Sequence, residues 1–254
     1  FMMGTTGISD FEKPEHQVTL TPFYIGKYEV TYGVWHSVRQ WALINGYNFQ
    51  NAGREGKNGA IAAAPTSASG EPVTTVSWRD CIVWCNARSE KDGLAPVYTS
   101  SGQVIRDSRN ANAAVRDGSA FNTGNNGYRL PTEAEWECAA RYLDGDSWTP
   151  GDFASGAGFN WSNAVANDAV AWYYTNSSNT LHVVGAKKPN QLGLHDMSGN
   201  IDEWCRDWAD YYGSGAVTNP LGPPSSPWTD RILRSGSQNY GAPGFCCSTR
   251  ISYE

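Results

Sequence analysis

The sequence predicts a single α+β domain with few helices, short strands and long loops. Size comes first: the chain has 254 residues, 40% hydrophobic and 17% charged, enough to bury one sizeable core. Composition comes second: 13% of residues are aromatic, 11 of them Trp, alongside 27 Gly and 13 Pro. Many turns supported by aromatic packing fit that mixture. Patterning comes third, because helical periodicity with start signals appears in three windows, while alternation is short and scattered.

Taken in order, residues 17–30 alternate apolar and polar side chains as a strand does. A helix follows from about Thr31 to Ala42, with Val34, Trp35, Val38 and Trp41 on one face. Gly53 to Gly70 is rich in Gly, Ala, Ser and Asn and reads as an exposed loop. Ser77-Trp-Arg-Asp80 is a capping box, in which Ser77 accepts from the first turn and Asp80 reaches back. Its helix turns Cys81, Val83 or Trp84, and Ala87 inward and ends before Asp92-Gly93. Thr132-Glu-Ala-Glu135, entered through Pro131, is a second box for a third helix carrying Trp136, Ala139, Ala140 and Tyr142. From Asp144 onward no long helix is expected, and Tyr211 to Trp228 reads as a solvent-exposed excursion. Tandem repeats and low-complexity tracts are absent from the sequence.

Charge and chemistry exclude several functions. The net charge of −6, with dispersed basic residues, argues against a nucleic-acid partner. No apolar run approaches the roughly 20 residues that span a bilayer. The histidines His16, His36, His182 and His195 stand near no nucleophile-elbow sequence, and His195 reads as a packing or surface residue. Cys81, Cys85, Cys138, Cys205, Cys246 and Cys247 lack zinc-ligand spacing, so buried free thiols without a disulfide framework are expected.

Four blocks carry a resemblance. They are Phe23-Tyr-Ile-Gly-Lys-Tyr-Glu-Val-Thr31, Pro72-Val-Thr-Thr-Val-Ser-Trp78, Tyr128-Arg-Leu-Pro-Thr-Glu-Ala-Glu-Trp-Glu137 and Gly193-Leu-His-Asp-Met-Ser-Gly-Asn-Ile-Asp-Glu-Trp204. In this order they resemble the formylglycine-generating enzyme, or sulfatase-modifying factor, family across essentially the whole chain. The resemblance implies a C-type-lectin-like topology. It also implies that Phe1-Met-Met-Gly4 is the interior of a first strand, with the natural start and any targeting sequence upstream, and that a closing strand follows Glu254. Asn200-Ile-Asp-Glu203 is similar to a turn that binds structural calcium in some members, which implies Asn200, Ile201 and Glu203 as hard oxygen ligands. Family enzymes bind copper(I) through two cysteines in the last block. Family spacing puts Tyr240 and Phe245 at those positions, with Cys246 and Cys247 one and two residues past the second. The resemblance therefore implies no catalytic cofactor and no enzyme.

From Tyr240 to Tyr253 every residue can arise from an asparagine codon, AAC, by changing adenines alone; Trp, Met, Gln, Lys and Glu cannot, and none occurs there. This is similar to the variable proteins of diversity-generating retroelements. Their pattern Arg-x-Leu-Arg-Gly-Gly-Ser-Trp-Asn-Asn-Asn is matched here at Arg231, Leu233, Arg234, Gly236, Ser237 and Asn239. The expected function is non-enzymatic binding by a hypervariable surface over about residues 231–254. Tyr240 and Phe245 are its expected anchors, with Trp228, Ser235, Gln238, Asn239, Gly241, Gly244, Cys246, Ile251, Ser252 and Tyr253 around them. The expected partner is a protein or cell-surface target, and the implied location is the cell surface or outside, through an upstream lipid anchor. Two alternatives stay open: a formylglycine-generating-type copper oxidase using Cys246 or Cys247, and a degenerate accessory surface domain.

Overall fold

The computed structural model describes residues 1–7, 9–109, 117 and 120–253. In chain order the strands are β1 (Met2–Met3), β2 (His16–Thr19), β3 (Arg54–Glu55), β4 (Val73–Thr74), β5 (Tyr98–Ser100), β6 (Gln103–Val104) and β7 (Ala120–Phe121). They continue with β8 (Tyr142–Asp144), β9 (Ser147–Trp148), β10 (Glu203–Trp208), β11 (Val217–Thr218), β12 (Arg231–Arg234) and β13 (Ile251–Tyr253). The helices are α1 (Tyr32–Ile44), α2 (Trp78–Lys91), α3 (Glu133–Arg141) and the short α4 (Ala164–Val170). This is a mixed α+β fold of small sheets, as the composition predicts. The chain falls into two compact units, one of residues 30–130 and one that joins 1–29 to 131–254.

In the 30–130 unit the start signals act as read. Thr31 caps α1, and Ser77 and Asp80 form the reciprocal box of α2; each such cap contributes about 1 kcal/mol. Trp35 and Trp84 stack 5.5 Å apart with planes 4° from parallel, fastening α1 to α2. The inward face of α1 is Tyr32, Trp35, Val38 and Ala42, whereas Val34 is exposed. The expected Gly53–Gly70 loop is corrected in part. Its first residues form β3 against β4, and Glu55 is buried because its carboxylate accepts the Thr66 amide at 3.1 Å and hydroxyl at 2.5 Å.

In the other unit, the strand expected over 17–30 stops at Thr19. Pro22 has no N–H to donate, and the Thr21 amide turns to the Asn219 side chain at 2.8 Å. The second box is present, with Thr132 capping α3 and Glu135 returning to the cap amide at 2.9 Å. Strands β10, β12 and β13 form an antiparallel sheet with β12 central. Cys205 and Ile232 of that sheet pack with Trp136, Ala139 and Ala140 of α3, and Cys247 fills the same core.

Arg234 crosses this packing. Completely buried, it pairs with Glu133 at 3.0 Å and Glu137 at 2.8 Å, and it donates to the Cys247 carbonyl. Arg250 also reaches Glu133, at 2.6 Å, and Arg141 reaches Glu137 at 2.7 Å. Burial works against the Glu133 carboxylate, but Arg250 and Arg234 outweigh it and hold its pKa below the ordinary carboxylate value. Both flanks of the terminal segment, residues 234 and 250, are thus tied to α3. Uncoupling a buried pair of this kind by removing one partner costs about 3–5 kcal/mol.

Candidate functional site

Between those ties the chain makes a compact turn whose backbone is fixed throughout. Ser235 sits at φ +78° with its hydroxyl at the carbonyls of Gly199, 2.9 Å, and Asp196, 3.1 Å. Gly236 follows at φ +69°, where a Cβ would meet the Gly244 carbonyl oxygen at 2.2 Å, so no larger residue fits. Gln238 donates its amide to Asn200 at 2.9 Å, and its carbonyl accepts the Ser177 hydroxyl at 2.8 Å. The Tyr240 carbonyl accepts the Tyr174 amide at 3.0 Å. Returning, Cys247 and Ser248 donate their amides to Phe153 at 2.9 Å and Gly151 at 3.0 Å.

This frame sorts the expected binding residues. Phe245 is corrected: it is 0% exposed and packs on Tyr173, ring centroids 4.6 Å apart, among Ala154, Ala157, Val170 and Ala171. An apolar ring beside a five-residue apolar cluster is drawn inward, so Phe245 is a core residue and not an exposed anchor. Cys246 is likewise buried, its thiol 3.3 Å from the Asp152 carbonyl. Ser235 and Gln238 are buried by their hydrogen bonds to neighbouring backbone. Gly244 is half-buried.

Asn239, Tyr240 and Gly241 face solvent, Tyr240 with 36% of its surface open. Tyr174 beside it is 68% exposed. Ile251 and Ser252 are half-buried on the edge strand β13, where Tyr253 is 66% exposed with its ring 6.5 Å from Trp204. Trp228 is exposed too, but its ring neighbours are Phe11 at 6.2 Å and Tyr211 at 5.7 Å. The single patch expected from sequence is therefore distributed over the Tyr240 turn, the β13 edge and the Trp228 loop.

Asp202, which immediately precedes Glu203, joins the site in the structure without a sequence motif that marks it. Its Oδ1 is buried without a hydrogen-bond partner. Burial pushes its pKa up to about 6, opposed by a hydrogen bond with Ser237. Tyr240 senses this group: burial and then the Asp202 charge raise the phenol above its ordinary value. The signal in the sequence was a carboxylate in a turn next to the terminal block; what hid it was its distance along the chain from residues 237–240.

The Asn200 turn is held by partners from separate segments of the chain. Asn200, fully buried, accepts the His182 amide at 3.0 Å through Oδ1 and donates Nδ2 to Glu29 at 2.7 Å. Its carbonyl takes the Gln238 amide. Ile201 contributes a backbone hydrogen bond to Glu29. Glu203 accepts the Trp136 indole N–H at 3.0 Å, and burial raises its pKa to about 7, with Asp196 and Asp202 adding repulsion. Among the described residues no three or more His, Cys, Asp or Glu side chains gather as a metal site, and the Asn200 side-chain oxygen already accepts the His182 amide. Asn200 is a hub joining Glu29, His182 and the terminal turn.

The two cysteines of the terminal block are enclosed. Burial raises the Cys247 thiol to about 12 and the Cys246 thiol well above its ordinary value, and both side chains are closed off in the core. All six cysteines are free thiols. Among the described residues no helix is long and apolar enough to cross a membrane.

Comparison with known proteins agrees with this geometry. The chain is 36% identical over 214 residues to a chaperone protein, LppX, of Paenibacillus barcinonensis, covering 76% of this chain and 65% of that protein. It thus spans somewhat under two thirds of that relative's length. It is 31% identical over 253 residues to the formylglycine-generating enzyme of Streptomyces coelicolor, covering 90% of this chain and 71% of the enzyme. Among solved structures, Treponema denticola variable protein 1 superposes with a TM-score of 0.76 at 29% identity, covering all of this chain and 86% of that one. CarF superposes at 0.70 with 27% identity, covering all of this chain and 87% of its own. The sulfatase-modifying factor enzyme 1-like domain matches residues 1–246, and the chain belongs to that family.

Proposed function

We propose that this chain is a non-enzymatic binding protein whose terminal block presents a diversified ligand-facing surface on a rigid frame. The observation that carries the reading is the division of labour within residues 234–253. Arg234, Ser235, Gln238, Phe245, Cys246, Cys247 and Arg250 are buried and hold the backbone, while Asn239, Tyr240, Gly241 and Tyr253 point outward. Exchange of the outward group leaves the buried frame untouched, which is the condition for a surface that changes without loss of fold. Aromatics set among small residues supply contact area with little conformational entropy to lose. The likeness to a variable protein supports diversification by a retroelement, and the raised, enclosed thiols of Cys246 and Cys247 weigh against a copper oxidase. Display outside the cell through an upstream anchor belongs to the same reading.

The test is selection of a random peptide library on the purified chain, followed by binding measurements on Tyr240→Ala and Tyr253→Ala. The reading expects ligands whose affinity falls at least about tenfold in one of these variants. Ligands indifferent to both, or turnover of a cysteine-containing peptide with oxygen uptake after copper(I) loading, would overturn it.

A further inference from the structure

The turn that holds Asp202 is fastened to the terminal block by the Gln238 amide, which donates to the Asn200 carbonyl at 2.9 Å, and Ser237, Asn239 and the exposed Tyr240 lie around that residue in the chain. Ser237 has a single hydroxyl proton, and it donates to the Asn239 side-chain oxygen. The Ser237 side chain beside Asp202 favours its charged form. The remaining oxygen of Asp202, Oδ1, is buried with no partner at all. A buried acceptor left unsatisfied is costly, and more so when charged. Asp202 makes no ion pair among the described residues, and its charge in turn adds to the rise of the Glu203 carboxyl. Tyr240 and Tyr174 are both exposed, and the Tyr174 amide donates to the Tyr240 carbonyl at 3.0 Å.

Resting on the reading of the terminal block as a binding face, we propose that Asp202 is its polar anchor and receives a guanidinium or ammonium group, the side chain of an arginine or lysine on a protein partner. Such a group supplies the missing N–H donor and neutralises the carboxylate. Its stem and charge lie against the faces of Tyr240 and Tyr174, where a cation gains from the ring quadrupoles. Asp202 is half-buried, so a small rotation of the carboxylate brings Oδ1 to the incoming donor. A neutral apolar ligand would leave the carboxylate unpaired and be disfavoured. The specificity determinant would thus lie outside the terminal block, in the turn before β10, while changes at residues 239–241 reshape the rim around it. Asn239, exposed and already accepting from Ser237, can donate its amide nitrogen to a backbone carbonyl of the same partner.

Amide chemical shifts of the isotope-labelled chain, titrated with N-acetyl-arginine methylamide and separately with its citrulline counterpart, test this directly. The two probes have nearly the same shape and differ in charge. Saturable shifts at the amides of Asn239, Tyr240 and Gly241 are expected with the arginine probe, at least about tenfold weaker with citrulline. In Asp202→Asn these shifts should vanish while the rest of the spectrum stays in place. Asp202→Glu, which keeps the charge, should recover part of them. Equal response to citrulline, persistence in Asp202→Asn, or no response to arginine up to about 50 mM would overturn the assignment. Peptides selected on the chain separate the two levels. Ligands that need Tyr240 but ignore Asp202 leave the binding face standing and remove the anchor; ligands indifferent to the whole block remove both.

Discussion

Tyr240 and Phe245 occupy one turn, yet their environments are opposite. Phe245 is enclosed by Tyr173 and four aliphatic neighbours, and Tyr240 lies open beside Tyr174. Truncating a buried phenylalanine removes its transfer free energy and leaves a cavity, at about 3–5 kcal/mol. Phe245→Ala should therefore lower the urea midpoint sharply or prevent folding. Tyr240→Ala should stay within about 0.5 kcal/mol of the parent, as surface substitutions do. Equal losses at the two positions would mean that the turn packs differently. Codon pattern and family spacing could not separate these two residues, because both are aromatic and both sit among glycines. The difference comes from residues 154–173, far away in sequence, which close over one ring and not the other. Asn200 teaches the complementary lesson: its place in the motif was legible, but its partners Glu29, His182 and Gln238 arrive from three separate segments.

Among the elements, the helices were the most legible and the strands the least. A helix start is written locally, and the boxes at Ser77–Asp80 and Thr132–Glu135 formed as read. A strand depends on a partner, so the alternation of residues 17–30 pairs only through Thr19, and Arg54–Glu55 pairs although its surroundings look like loop. Strand β10 begins at Glu203, which carries a pH signature. Its pKa, raised by burial to about 7, exceeds that of an unfolded glutamate near 4.5. The folded chain consequently binds more protons than the unfolded one between those values, and stability declines as pH rises from about 4.5 toward 7. Asp202 and Asp207, raised to about 6 and about 7, act in the same direction. In Glu203→Gln, which keeps an acceptor for Trp136, the fall in Tm between pH 5 and pH 7 should be shallower than in the parent. An unchanged slope would mean that Glu203 ionises normally.

For the whole molecule, family membership was readable from four blocks spread from residue 23 to residue 204, because such blocks build the scaffold. What the scaffold presents was less readable, since exposure at the C-terminal end is set by packing across distant segments. As a diversified surface, the chain is expected to change at the outward positions of residues 239–253 and to keep the buried frame constant. Sequencing the 3′ end of the gene across descendants of a single clone tests this most directly. Substitutions at adenine positions of a template, concentrated at codons 239–241 and 251–253 and sparing Arg234, Phe245 and Cys247, are the predicted result. An invariant end, or changes as frequent at Phe245 and Cys247 as at Tyr240, would contradict it.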